Sequence, residues 1–252
     1  MDKKRLDNSE SVKNSNDEVL TLSEIADYLK VSDKTILRMA QAGEIPSAKV
    51  SGQWRFLRSF INDWLETKMY LASTDNLREV VATSDTVVPM SRLLSPDRVV
   101  LDLTPGPPGD VLRRLVTPLA VDGVVTDPEE FYRQLVEREE MVSTALGRGV
   151  AFPHVRHPAK SQVEAPAVVI GICRAGTDFN SLDGEPTYVF ALCCSSSEAM
   201  HLRLLAKVTL LLRSQELVEK LRGASNKREV ARHLIAADWE LSATLPVFGA
   251  GA

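Results

Sequence analysis

The sequence predicts an α/β (α+β) chain in two parts, and three observations predict it. Short helical periods crowd the first quarter of the chain, strand and helix signals alternate through the rest, and a mostly polar stretch lies between. At 252 residues the chain suits one small and one medium domain. The expected boundaries are a disordered tail over 1–18, a small domain over 19–68, a linker over 69–88, a larger domain over 89–241 and a second tail over 242–252.

The segment Met1 to Asp17 is rich in Lys, Asp, Asn and Ser and lacks an apolar core, so it does not read as a signal peptide. Apolar residues at Leu22, Ile25, Ala26 and Leu29 then follow helical spacing, with Thr21 placed to cap and Glu24 three residues on. A second helix is expected from Asp33 to Ala42. Ser32 is its N-cap, Ile36, Leu37 and Ala40 face inward, and Gly43 stops it in the left-handed conformation. Two helices joined by a tight turn make a helix-turn-helix, whose second helix is the natural major-groove reader. Ser51-Gly52 is a turn signal between two short extended runs, so a hairpin follows as a wing. A third helix is expected to start near Ser59 and run to Leu65.

Net charge is −4, which gives no global sign of nucleic-acid binding. From Tyr28 to Arg58, however, Lys30, Lys34, Arg38, Lys49, Arg55 and Arg58 stand against only Asp33 and Glu44, a local excess of four positive charges. Lys34, Thr35 and Arg38 lie on the outer side of the second helix, and Lys49 and Arg55 on the wing.

From Met69 to Val88 the chain is mixed and mostly polar, with weak apolar periodicity around Leu77, Val80 and Val81. Either a short helix or a flexible tether fits it. Beyond it, Val99 to Leu103 alternates like a strand and Asp110 to Val116 has one apolar helical face. Pro118 is expected to end or kink that helix. Gly106-Pro107-Pro108-Gly109 reads as a turn, since it lacks the Gly-Lys-Ser/Thr ending of a phosphate loop. Asp127 caps a helix with Pro128 at its first position. Ala167–Cys173 and Tyr188–Cys194 are apolar runs that read as buried strands. Met200–Arg213 is apolar almost all round and reads as a buried helix. Two further helical pieces complete an α/β sandwich-like domain with helices packed on a mixed sheet.

Cys173, Cys193 and Cys194 have no metal-ligand spacing and are expected to be reduced, buried thiols, which fits a cytoplasmic setting. No run approaches the length of a membrane helix. Neither a metal nor a cofactor is expected. Of four histidines, His154 stands out: Gly147, Gly149 and Pro153 frame it, so a rigid turn would present its imidazole as a neutral nucleophile near pH 7. His157 reads as a surface residue and His233 as structural.

Two resemblances overlay this reading. Leu20 to Leu65, with L-T-L-S-E-I-A-D-Y-L-K-V-S-D-K-T-I, G-E-I-P, G-Q-W-R-F and I-N-D-W-L in that order, resembles the excisionase/MerR-type winged helix-turn-helix family. That resemblance implies DNA as partner, with Lys34, Thr35 and Arg38 on the recognition helix and Arg55 on the wing facing it. It also implies a homo-oligomer, although no heptad run identifies a dimerising element. Glu137 to His154, E-R-E-E-M-V-S-T-A-L-G-R-G-V-A-F-P-H, resembles the active-site signature of enzyme IIA of the phosphoenolpyruvate sugar phosphotransferase system, in its mannitol/fructose and nitrogen-regulatory class. The likeness extends from Leu93 to about Trp239. It implies His154 as phosphoryl acceptor, His201 beside it holding the phosphoryl oxygens, and Arg138 supplying positive charge, with the histidine phosphocarrier as donor. Such a component carries a phosphoryl group rather than turning over a substrate. Val155 departs from the small residue usual after this histidine, so it is expected to crowd a docking partner, and Arg156 could add a phosphate contact. Together the signatures predict a transcription regulator switched by phosphorylation at His154. The rivals are a phosphocarrier in a sugar or nitrogen cascade, and a regulator with a degenerate, unphosphorylated sensor domain.

Overall fold

In a computed structural model, the described residues are 18–71, 74, 77, 78, 81 and 88–244; the side chains of 66, 67, 69–71 and 160 are not described. Residues 1–17 of the tail expected over 1–18, and the last residues of the other, 245–252, lie outside that set. Two compact units divide the chain after Leu65.

In the first unit, β1 (Val19–Leu20) leads into α1 (Leu22–Leu29) and α2 (Asp33–Gln41). The capping box forms as expected: Thr21 Oγ1 accepts from Glu24 N, and Thr21 N donates to Glu24 Oε2 at 2.8 Å. Ser32 accepts from Thr35 N at 3.2 Å and so caps α2. The wing is β2 (Ala48–Val50) and β3 (Gln53–Leu57), paired antiparallel. Its turn residues Ser51 and Gly52 both have positive φ, 49° and 82°, the geometry of a primed two-residue hairpin turn. The sheet order is β1-β3-β2. Helix α3 (Arg58–Leu71) starts directly from β3 and runs six residues past the predicted end. Ile25, Ile36, Ile45, Phe56 and Ile61 form the core, where fully burying each aliphatic side chain is worth about 1.5–3 kcal/mol. Glu18, at the end of the expected tail, pairs with Arg58 at 2.7 Å.

The second unit is three-layered. A short helix α4 (Met90–Leu93) precedes β4 (Val99–Val100), α5 (Pro108–Val121), α6 (Pro128–Met141), β5 (Ala145–Gly147), β6 (Val150–Ala151), β7 (Ala167–Thr177), β8 (Thr187–Cys194), α7 (Glu198–Leu212), α8 (Gln215–Gly223) and α9 (Lys227–Thr244). The five strands form a mixed sheet in the order β4-β7-β8-β6-β5. On β7, side chains alternate across the sheet: Val168, Ile170 and Ile172 join the core beneath α7–α9, while Ala167, Val169 and Cys173 join the core beneath α5 and α6.

Three local expectations are corrected. The strand expected over Val99–Leu103 is only two residues long, although Leu103 N still reaches Ile172 O at 3.0 Å. Pro118 does not end its helix: α5 continues to Val121, because Leu119 is fully buried and anchors the last turn. Pro108 opens α5, so Gly106–Gly109 is a helix entry, with Pro where its missing N–H costs nothing. Within the second unit, Leu77 and Val81 are helical and buried against Ala206 and Leu210 of α7. A helix that is apolar all round needs cover on more than one side, and these residues supply it.

The three cysteines are free and buried. Burial pushes the Cys194 thiol up to about 12, and the Cys193 thiol up as well, for the same reason. Since the thiolate is the reactive form, neither is expected to react with a disulfide reagent at pH 8 in the folded protein; both should react at once in denaturant. Rapid native reaction at either position would contradict this packing.

Candidate functional site

The two-glycine hairpin builds the site. Gly147 (φ 100°), Arg148 (φ 57°) and Gly149 (φ 73°) turn β5 into β6. Asp183 clasps this turn from the loop before β8, its Oδ2 accepting from Arg148 N at 2.9 Å. Hydrogen bonds from Ser181, from Arg148 N and from Glu185 N hold its carboxyl below the usual carboxylate range. A Cβ on Gly147 would stand 2.6 Å from Asp183 Oδ2, in a φ region that L-residues avoid. Gly147→Ala is therefore expected to cost about 1–3 kcal/mol, read as a drop in urea midpoint; an unchanged midpoint would show that the turn relaxes freely.

Past β6 the chain keeps its parallel register with β8. His154 faces Cys193 in an isolated bridge, and Cys193 N donates to Pro153 O at 3.1 Å. The His154 Nδ1 lies 2.6 Å from Phe152 O. A carbonyl oxygen only accepts, so Nδ1 carries the proton in this contact and the neutral ring has its lone pair on Nε2. His201 sits at the fourth position of α7, close to the positive end of the helix dipole. The two imidazole centroids are 5.3 Å apart, with the planes tilted by 53°. The expected pair is thus brought together from two distant segments.

Its setting differs from expectation in two ways. His154 is not displayed at an exposed tip: it is 1% exposed, and His201 2%. Packing of the β6 extension against β8 and α7 encloses both rings, which local turn signals cannot foretell. Val155 is fully buried in the core beneath α5 and α6, because alternation along the strand turns it away from His154. It therefore does not stand in a partner's path.

Arg138 lies in the last turn of α6 and is 7% exposed, with Nη1 donating to Val142 O at 2.7 Å. That contact closes the helix end, where a cation is favoured. Beside it, the buried Glu139 accepts from Thr144 N at 2.9 Å and Thr144 Oγ1 at 2.6 Å, fixing the α6–β5 turn. Sequence reasoning missed Glu139 and Asp183; an acid immediately before a hydroxyl-rich turn, as in Glu139 to Thr144, was the available signal. His233 stands 3.7 Å from Glu229 on α9.

In the first unit Lys34 and Lys49 are exposed, and Lys49 lies over the Trp54 ring. Arg38 is 67% exposed and only loosely paired with Glu44 at 3.6 Å. The Thr35 hydroxyl is 2.9 Å from Ser32 Oγ, within the α2 cap. Arg55 is half-buried, its guanidinium bonded to Trp54 O and Gln53 Oε1 along the wing.

A helix-turn-helix with a basic outer face on its second helix stands in one chain with an α/β unit that encloses a histidine pair. Residues 19–69 match a helix-turn-helix domain model, and residues 92–237 match the model of the phosphoenolpyruvate-dependent sugar phosphotransferase system EIIA 2 family. The chain belongs to that EIIA 2 family. It is 28% identical over 140 residues to the nitrogen regulatory protein of Pseudomonas aeruginosa, covering 55% of this chain and 89% of that protein. It is also 28% identical over 149 residues to the mannitol-specific phosphotransferase enzyme IIA component of Staphylococcus aureus, covering 59% of this chain and 99% of that one. Against the fructose-specific EIIABC component of Bacillus subtilis it is 27% identical, and it spans only 22% of that longer protein. In fold it resembles the crystal structure of the nitrogen regulatory protein IIA-Ntr of Neisseria meningitidis, with TM-score 0.52 and 24% identity over 57% of this chain and 98% of that one. No helix among the described residues is long and apolar enough to cross a membrane.

Proposed function

We propose that this chain is a DNA-binding transcription regulator whose DNA affinity is set by a phosphoryl group on Nε2 of His154, delivered by the histidine phosphocarrier of the phosphotransferase system. The observation that carries the reading is the Phe152 carbonyl at His154 Nδ1, which leaves Nε2 as the nucleophile with the His201 ring beside it. The Nε2 lone pair attacks phosphorus, the donor's N–P bond breaks, and that electron pair returns to the donor ring. His201, near the α7 N-terminus, supplies a donor to the equatorial oxygens. Arg138 acts as a positioning residue that closes the α6–β5 turn below the hairpin. Because both rings are enclosed, acceptance requires the packing around His154 to open, and the phosphoryl group brings about −1.5 to −2 charges into it. The same enclosure favours a second reading, in which the unit is an unphosphorylated sensor.

On DNA, Lys34 and Arg38 would contact the major groove, and Lys49 and Arg55 the backbone. Arg38→Ala is expected to cost about 1–3 kcal/mol of binding, and Lys49→Ala to reduce the salt dependence by about one phosphate contact.

The test selects a binding sequence from a random DNA pool and measures Kd before and after phosphorylation by phosphoenolpyruvate, enzyme I and the phosphocarrier. At least a 5-fold change, absent in His154→Ala, is expected. Equal affinities on a protein shown to carry phosphate would defeat the regulatory reading.

A further inference from the structure

A second site, separate from the histidine pair, lies on the same side of the sheet. It is a cleft of about 740 Å³ between the β5–β6 hairpin and the C-terminal end of α7. Arg148 enters it from the hairpin and Arg213 from the end of α7, with Thr209, Phe152 and Asp183 along its walls. Thr209 is 4% exposed, and its Oγ1 is buried with no hydrogen-bond partner, a condition that is costly unless a ligand supplies one. Arg148 makes no side-chain ion pair among the described residues. Asp183, the acid of the cleft, is committed to its own loop by Ser181 Oγ and Glu185 N and to the hairpin by Arg148 N. Burial, and after it the nearby Arg148 charge, lower the pKa of the Arg213 guanidinium, so the two cations repel across the cleft.

We infer that this cleft binds a small organic phosphate monoester, its phosphate clamped between Arg148 and Arg213 and hydrogen-bonded by the Thr209 hydroxyl. Two guanidiniums match a dianion in charge and in fork geometry. The cleft has the volume of an ordinary metabolite site, leaving room for the organic part beside Phe152. Thr209 is eight residues beyond His201 on α7, about 12 Å along the helix, so this is not the acceptor site. The two are nevertheless joined: Phe152 lines the cleft with one part of the residue and holds His154 Nδ1 with its carbonyl. The inference does not depend on whether His154 is phosphorylated.

Calorimetric titration of the full chain with glucose 6-phosphate, inorganic phosphate and glucose tests it. Saturable binding of the ester, tighter than inorganic phosphate and absent for glucose, is expected. Arg148→Gln and Arg213→Gln should each weaken it at least 10-fold and Thr209→Val severalfold. The Arg148 side chain is exposed, so its variant keeps the fold, checked by circular dichroism. No saturable binding, or binding indifferent to both arginine variants, would overturn the site. Inorganic phosphate binding as tightly as the ester would overturn the ester assignment.

Discussion

Replacing Asp238 by Ala is expected to destabilise the second unit by about 3–5 kcal/mol. Asp238 on α9 and Lys207 on α7 form an ion pair of 2.7 Å with side chains only 3% and 5% exposed. Each charge is further bound to the backbone of the segment that leads into α4. Asp238 Oδ2 accepts from Met90 N at 2.7 Å, and Lys207 Nζ donates to Val88 O at 2.9 Å. Removing the carboxylate leaves a buried ammonium with a carbonyl but no counter-charge, and orphans the Met90 N–H. Lys207→Met leaves the converse, a buried carboxylate without its cation. The Lys207→Met/Asp238→Leu double variant should recover most of the loss, since an apolar pair of similar volume avoids the desolvation cost. Urea unfolding monitored by circular dichroism reads all three; single variants within about 1 kcal/mol of wild type would show that water reaches the pair.

The second large effect concerns His201. If it stabilises the phosphoryl group in transfer, His201→Ala should slow acceptance by His154 about 100- to 1000-fold, the usual consequence of losing one preorganised donor. The final extent of labelling should change far less than the rate. Rapid-quench kinetics with the phosphorylated phosphocarrier would show this, and His201→Asn or His201→Gln, which restore a donor, should recover part of it. A rate unchanged in His201→Ala would reduce His201 to a packing partner of His154, consistent with the tilted ring contact alone.

Features written within a few residues of one another were legible in the sequence. The Thr21–Glu24 capping box, the Ser32 cap and the Ser51-Gly52 turn each act locally, so the helix-turn-helix and its wing could be placed almost element by element. The histidine pair was legible only through a resemblance, because 46 residues separate His154 from His201 and no spacing rule joins a strand end to a helix start. Burial of His154 was not legible, since it follows from how β6, β8 and α7 pack. Pro118 misled for a related reason: a local breaker lost to the anchoring of Leu119 in the core. Lys207 did carry a signal, a lysine in a helix apolar almost all round, but its partner lies 31 residues away on α9. Arg148 and Arg213 read as ordinary surface charges until the fold sets them on one cleft.

Everything proposed for regulation turns on whether His154 accepts a phosphoryl group. The most direct measurement is transfer of labelled phosphate from phosphoenolpyruvate through enzyme I and the histidine phosphocarrier to the full chain, with His154→Ala alongside. Acid-labile label on the wild type and none on the variant is the predicted result. No label on a folded wild type, or equal label on the variant, would contradict it.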